Sequence, residues 1–89
     1  MTTEVQETHE IRLKRLYMRS IRRGIKEMDI LLQGYADANL ARLSAADLDL
    51  YEALLNENDQ DLYQWVTGQA EGPEHLQSLL KEISQTYGK

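Results

Sequence analysis

Arg22-Arg23-Gly24-Ile25-Lys26-Glu27-Met28-Asp29 is the stretch on which the reading of the fold turns, because two arginines, a glycine and two carboxylates crowd into it between apolar residues. The pattern predicts a joint between two helices. Gly24 has no Cβ to clash in a left-handed turn, so it is the expected end of the first helix. Arg22 and Arg23 then fall in that helix's last turn, beside the negative end of its dipole. Glu27 and Asp29 fall in the opening turns of the second, beside the positive end. Two readings of the joint stay open. It is either a plain helix–turn–helix corner or a charged cluster, held rigid by that corner, that docks on a partner.

Apolar periodicity runs outward from the joint in both directions. Upstream, Leu13, Leu16, Tyr17 and Ile21 repeat at helical spacing between His9 and Arg23, with arginines on the other faces and Met18 off the stripe as a gap-filling or partner-facing residue. Downstream, Ile25, Met28, Leu31, Leu32 and Tyr35 carry a second helix that ends at Asn39 or runs on to Leu43. Gly34 within it costs about 1 kcal/mol relative to alanine and marks a bend or a close helix crossing. Met28 and Tyr35 read as core, which leaves a residue or two exposed beside Glu27.

Ser44 followed by Asp47 resembles a capping box and opens a third helix, with Leu48, Tyr51, Leu54 and Leu55 on its buried face. Asn56-Glu57-Asn58 breaks it. Asp59 is the expected cap of a short fourth helix through Leu62, Trp65 and Val66, ending near Gly68, with Trp65 as the largest core anchor. Gly72-Pro73 restarts the chain, and Leu76, Leu79, Leu80, Ile83 and Tyr87 form the last stripe. No strand-like alternation, internal repeat or low-complexity run interrupts this pattern. The fold class is therefore all-α, a compact bundle of about five short helices over residues 9–89, with residues 1–8 a flexible N-terminal tail.

The 89 residues, 42% hydrophobic and 28% charged, suit one folded domain with a small core. Such a core has little room for a private cofactor cavity, since ligand pockets occupy roughly 300–1,000 Å³. Action at the surface is expected instead. The absence of cysteine excludes a disulfide framework and thiolate metal sites. No apolar run approaches the roughly 18–20 residues of a membrane span. Residues 1–10 contain three glutamates and neither Lys nor Arg, unlike a secretory signal or a transit peptide, and a cytoplasmic protein is the default expectation.

Catalytic signatures are missing. His9 and His75 form no i,i+4 pair for zinc, no glycine loop precedes a Lys-Ser/Thr, and Asp59-x-Asp61 lacks the ligand number and glycine turn of a calcium loop. No enzyme, metal site or catalytic residue is expected. The net charge of −5 is unevenly spread: seven of the ten basic residues lie between positions 12 and 26, a window without an acid. A basic helix of this kind is a solvated face or a phosphate-binding surface. The acidic remainder of the chain and the sparse aromatics argue against nucleic acid.

Arg19-Ser20-Ile21-Arg22-Arg23-Gly24-Ile25-Lys26-Glu27-Met28-Asp29 resembles the Arg-Gly-x-x-Glu signature of the SdhE family, the FAD-assembly factors of succinate dehydrogenase. A second block, Leu54-Leu55 to Asp59-Gln60-Asp61-Leu62-Tyr63-Gln64-Trp65, is similar to that family's Leu-Leu-x-x-x-Asp-x-Asp-Leu-x-x-Trp. Order, spacing and length agree over roughly residues 11 to 87. Asn56, where relatives often carry an acid, and Gln60, where some carry proline, depart from the pattern.

The resemblance implies an assembly chaperone that binds the flavoprotein subunit of succinate dehydrogenase, and in bacteria of fumarate reductase. It would promote covalent attachment of FAD to a histidine of that client. FAD then belongs to the client and not to this chain, which would be a monomer when free. Carried over, the partner-binding residues are Arg23, Gly24 and Glu27, flanked by Arg22 and Asp29. Arg23 and Glu27 are expected to make charge-assisted contacts with the client around a buried Gly24. The competing classes are an antitoxin-like protein that sequesters another protein and a nucleic-acid-binding basic helix.

Overall fold

The computed structural model describes residues 8–87, with side chains to residue 85. Five α-helices follow one another: α1 (His9–Ser20), α2 (Lys26–Asn39), α3 (Ala45–Leu55), α4 (Asp59–Val66) and α5 (Gln77–Tyr87). Single 3₁₀ turns, Leu40–Arg42 and Glu74–Leu76, precede α3 and α5. The all-α expectation holds among the described residues. The tail expected over residues 1–8 lies outside them except at its end, where Thr8 is the N-cap of α1 and accepts the Ile11 amide at 3.1 Å. No helix of the described residues is long and apolar enough to cross a membrane.

α2 is the central helix, packed against α1, α4 and α5. Its Met28, Leu31, Leu32 and Tyr35 are buried and meet Leu16 of α1, Leu54 of α3, Leu62 of α4 and Ile83 of α5 in one core. α2 runs through Gly34 and stops at Asn39. There the Asn39 amide group donates to Tyr35 O at 3.1 Å and its carbonyl accepts from Arg42. Ser44 caps α3 through the Asp47 amide, at 3.1 Å. The fourth cap is not Asp59. Asn58 holds the Gln60 and Asp61 amides, at 2.8 and 3.4 Å, and Asp59 is the first helical residue. A proline at position 60 could not make the first of those bonds, so glutamine there keeps the cap complete.

Trp65 is only half-buried, and Tyr35 and Tyr51 are instead the largest fully buried side chains. The indole covers Gly72, where an added Cβ would collide with Leu80 Cδ1 and stand 3.2 Å from the Trp65 ring. The Tyr87 side chain, placed on the last stripe by its spacing, lies outside the described residues.

The arginines of α1 are partly exposed but turn towards α3 and its C-cap. Arg12 reaches Asp49 at 2.7 Å and Glu52 at 3.2 Å, Arg15 reaches Glu52 at 2.8 Å, and Arg19 reaches Asn56 Oδ1 at 2.7 Å. The pairs keep a near-constant offset of 37 residues, so α1 and α3 run side by side in the same direction. Bonding to Arg15 holds the Glu52 carboxyl below its ordinary range, more than burial raises it. Partly exposed pairs of this kind contribute about 0–1 kcal/mol each, so their main effect is on register.

Under this ladder lies a buried polar pair. Ser20 Oγ donates to Leu16 O at 2.8 Å and, having one proton, accepts from Tyr51 at 2.6 Å. Burial pushes the Tyr51 phenol up to about 12, against the lowering effect of the Arg23 charge. The unfolded chain releases this proton near pH 10. Stability from Tyr51 is therefore fully present below about pH 10 and is lost as pH rises towards about 12. Tyr35, raised by burial, adds to the same decline. Tyr51→Phe is expected to cost roughly 1 kcal/mol at neutral pH and to flatten that loss, as read from urea midpoints on either side of pH 10.

Candidate functional site: the corner between α1 and α2

The joint is built differently from the left-handed glycine cap its sequence suggests. α1 ends at Ser20, with Ile21 as C-cap, so Arg22 and Arg23 lie beyond the last turn, in the connection to α2. Gly68, at φ 85°, is the one glycine with positive φ among the described residues, and Gly24 is not in that region. Gly24 answers a different requirement, close approach. Its amide donates to Asp59 Oδ2 at 2.5 Å, and an added Cβ would stand 3.1 Å from the same oxygen.

The other oxygen of Asp59, Oδ1, accepts Arg23 Nε at 2.5 Å and lies 2.5 Å from Arg23 Nη2. The rest of the guanidinium reaches the end of α3, with Nη1 donating to Leu55 O at 2.8 Å and Nη2 to Glu57 O at 2.9 Å. Cationic charge at a helix C-terminus and anionic charge at a helix N-terminus are both favourable, and the Arg23–Asp59 pair stands between the end of α3 and the start of α4. Asp29, in the first turn of α2, accepts the Arg23 amide at 2.6 Å. The two central backbone donors of the corner are thus both held by carboxylates, one local and one from α4.

These contacts divide the five expected partner residues. Arg22, Gly24 and Glu27 face solvent. Arg23 does not: its side chain is 10% exposed and its donors are used inside the molecule. Asp29 turns back on the corner. The expectation that Arg23 meets a partner through its side chain is therefore replaced by an internal role, because two carbonyls and a carboxylate converge on its guanidinium. Glu27 makes no ion pair among the described residues.

Exposed apolar residues lie on both helices that meet at the corner. Met28 is buried, and the hydrophobic residue left exposed beside Glu27 is Ile30, one turn on and 57% exposed. Met18, one turn before Arg22, is 42% exposed. With Ile11, these are the exposed large hydrophobic residues of the described chain, and all lie on α1 or α2. Between the two helices runs an open groove of about 410 Å³, floored by Leu13, Tyr17, Ala36 and Leu40, with Lys14 and Asp37 in its lining. The exposure of Ile30 and the contact of Asp59 with the corner are not evident from the sequence, where Asp59 is the expected cap of α4. Ile30 could have been found from its position three residues after Glu27, off the buried stripe, whereas nothing local identifies Asp59 as a partner of Gly24.

A family described as flavinator of succinate dehydrogenase matches residues 14–87. The chain belongs to this family. It is 40% identical over 70 residues to the mitochondrial succinate dehydrogenase assembly factor 2 of Schizosaccharomyces japonicus, covering 79% of this chain and 49% of the relative. The protein of the same description from Candida glabrata is 44% identical over 63 residues, covering 71% and 41%. That from Dictyostelium discoideum is 33% identical over 89 residues, covering 100% and 62%. The chain thus spans about half the length of the curated relatives it matches. The match includes the corner, α3 and α4, the elements joined by Arg23 and Asp59. It also corrects the cytoplasmic expectation, because the relatives are named as mitochondrial proteins. That expectation rested on the lack of cysteine, of a membrane-spanning run and of basic residues at positions 1–10, none of which identifies a compartment.

Proposed function

We propose that this protein is an assembly factor that binds the flavoprotein subunit of succinate dehydrogenase through the α1–α2 corner and promotes covalent attachment of FAD to a histidine of that subunit. The observation that carries the reading is the outward display of Arg22, Gly24 and Glu27 on a corner fixed from behind by Arg23 and Asp59, in a chain of the flavinator family. Charged groups on a preorganised backbone bind with less ordering cost than the same groups on a loose loop. Met18 and Ile30 flank the corner and supply the apolar contact that exposed charges alone do not.

The bundle contributes orientation and no reacting group. The client's own histidine forms the bond to the flavin, and holding the client's domains around FAD favours that step by restricting geometry. FAD remains the client's cofactor, the bundle is a monomer when free, and the resemblance extends the same proposal to the flavoprotein of fumarate reductase. A phosphate-binding α1 is less well supported. Of the seven basic residues between 12 and 26, Arg12, Arg15, Arg19 and Arg23 bond to α3 or α4, which leaves Lys14, Arg22 and Lys26 exposed.

Co-expression with the succinate dehydrogenase flavoprotein of the same organism tests the proposal, read as flavin fluorescence of the denatured subunit. Wild type is expected to raise covalent flavin, and Met18→Asp with Ile30→Asp to lower client affinity by about tenfold or more. Flavin loading that is the same with and without the wild-type chain would refute it.

A further inference from the structure

We infer that Asp59, on α4, is a positioning residue of the docking surface: it fixes the backbone of the α1–α2 corner from behind. Its effect on docking rests on the function proposed above, but its effect on the corner does not.

Asp59 has no duty left at its own helix. Asn58 is the N-cap and holds the Gln60 and Asp61 amides. Asp61 supplies a second acidic group in the first turn of α4, so the helix dipole does not require Asp59 either. Yet the Asp59 side chain is only 16% exposed, and both of its oxygens point to the corner. Oδ1 alone would serve to pair Arg23. Oδ2 does something separate, accepting the Gly24 amide and so setting the plane of the peptide between Arg23 and Gly24.

No helical ladder does this work, since the connection from Arg22 to Ile25 lies outside both helices. The Arg23 amide is held by Asp29, six residues away, and the Gly24 amide by Asp59, thirty-five residues away. The direction in which Arg22 and Gly24 face therefore depends on α4. The two sequence blocks singled out above, around Arg-Gly-x-x-Glu and around Asp-x-Asp-Leu-x-x-Trp, form one constellation: the first presents the surface and the second aims it.

Asp59→Asn tests this, since it keeps the shape and removes the charge. Helix content by circular dichroism is expected to stay unchanged. Hydrogen exchange of the Gly24 amide should rise about tenfold beyond any change at the Leu32 and Leu54 amides, which report global opening. Affinity for the flavoprotein subunit should fall about tenfold in the wild-type background and much less in a Glu27→Gln background, because a group that acts through the corner couples to the residues the corner presents. Gly24 exchange that merely tracks the core amides, or losses from Asp59→Asn and Glu27→Gln that simply add, would overturn the inference. If wild type itself fails to bind the flavoprotein, the functional reading falls while the exchange measurement still judges Asp59. Should Asp59→Asn not fold, scalar coupling across the hydrogen bond from the Gly24 amide nitrogen to the Asp59 carboxyl carbon of wild type decides. Its presence upholds the clamp, and its absence refutes it.

Discussion

Arg23→Met is expected to destabilise the protein by about 3 kcal/mol, near the lower end of what breaking a buried ion pair from one side costs. The methionine fills similar space but leaves three acceptors unmet: the Asp59 carboxylate and the carbonyls of Leu55 and Glu57. The lower end applies because the two side chains retain 10% and 16% exposure, which admits some water. The loss is still a large share of the total, since a domain of 89 residues has roughly 4–13 kcal/mol to lose. In thermal unfolding it corresponds to a fall of about 12 °C or more. Arg23→Lys keeps the charge without the planar fork and is expected to recover about half, because one ammonium cannot span both carbonyls and the carboxylate. Urea denaturation of the three proteins measures the series. A cost below about 1 kcal/mol for Arg23→Met, the level of an ordinary surface pair, would mean that the guanidinium is not what ties the corner to α3 and α4.

Arg23 also shows why part of this molecule was legible in sequence and part was not. The buried faces of α2, α3 and α5 follow from local periodicity, and Leu31, Leu48 or Ile83 is core wherever its helix lands. Ser44 could be judged a cap because a cap bonds within three residues. The choice between Asn58 and Asp59 could not. Both side chains can accept an amide, and Arg23 decides the matter from 36 residues away by drawing Asp59 off its own helix. α1 ends at Ser20, and it is in the connection beyond it that Arg23 and Gly24 meet Leu55, Glu57 and Asp59. The arginines of α1 look like a solvated face for a related reason. Their partners Asp49 and Glu52 lie on α3 and Asn56 is its C-cap, and no short window reveals the parallel placement of that helix.

The second large effect falls on docking and not on the fold. Gly24→Arg is expected to reduce affinity for the flavoprotein subunit by at least about 100-fold, a change of roughly 3 kcal/mol, and to abolish the gain in covalent flavin on co-expression. Two separate contacts are lost. The Cβ alone stands 3.1 Å from Asp59 Oδ2, so the carboxylate must shift by a few tenths of an ångström and its bond to the Gly24 amide weakens. The remainder of the side chain then projects from the exposed corner between Arg22 and Glu27, where a partner would otherwise approach the bare backbone. Because φ at Gly24 is not positive, the backbone accepts a side chain without strain there, and helix content should match wild type. Gly24→Ala separates the two contacts, since it adds the Cβ and nothing beyond it. An intermediate loss of about tenfold for alanine would assign part of the effect to the Asp59 clamp and the rest to blocked approach. Equal losses for alanine and arginine would assign all of it to the clamp. Wild-type binding by Gly24→Arg would move the docking surface away from the corner, because no partner resting on Glu27 and the Gly24 backbone could ignore a guanidinium placed between them.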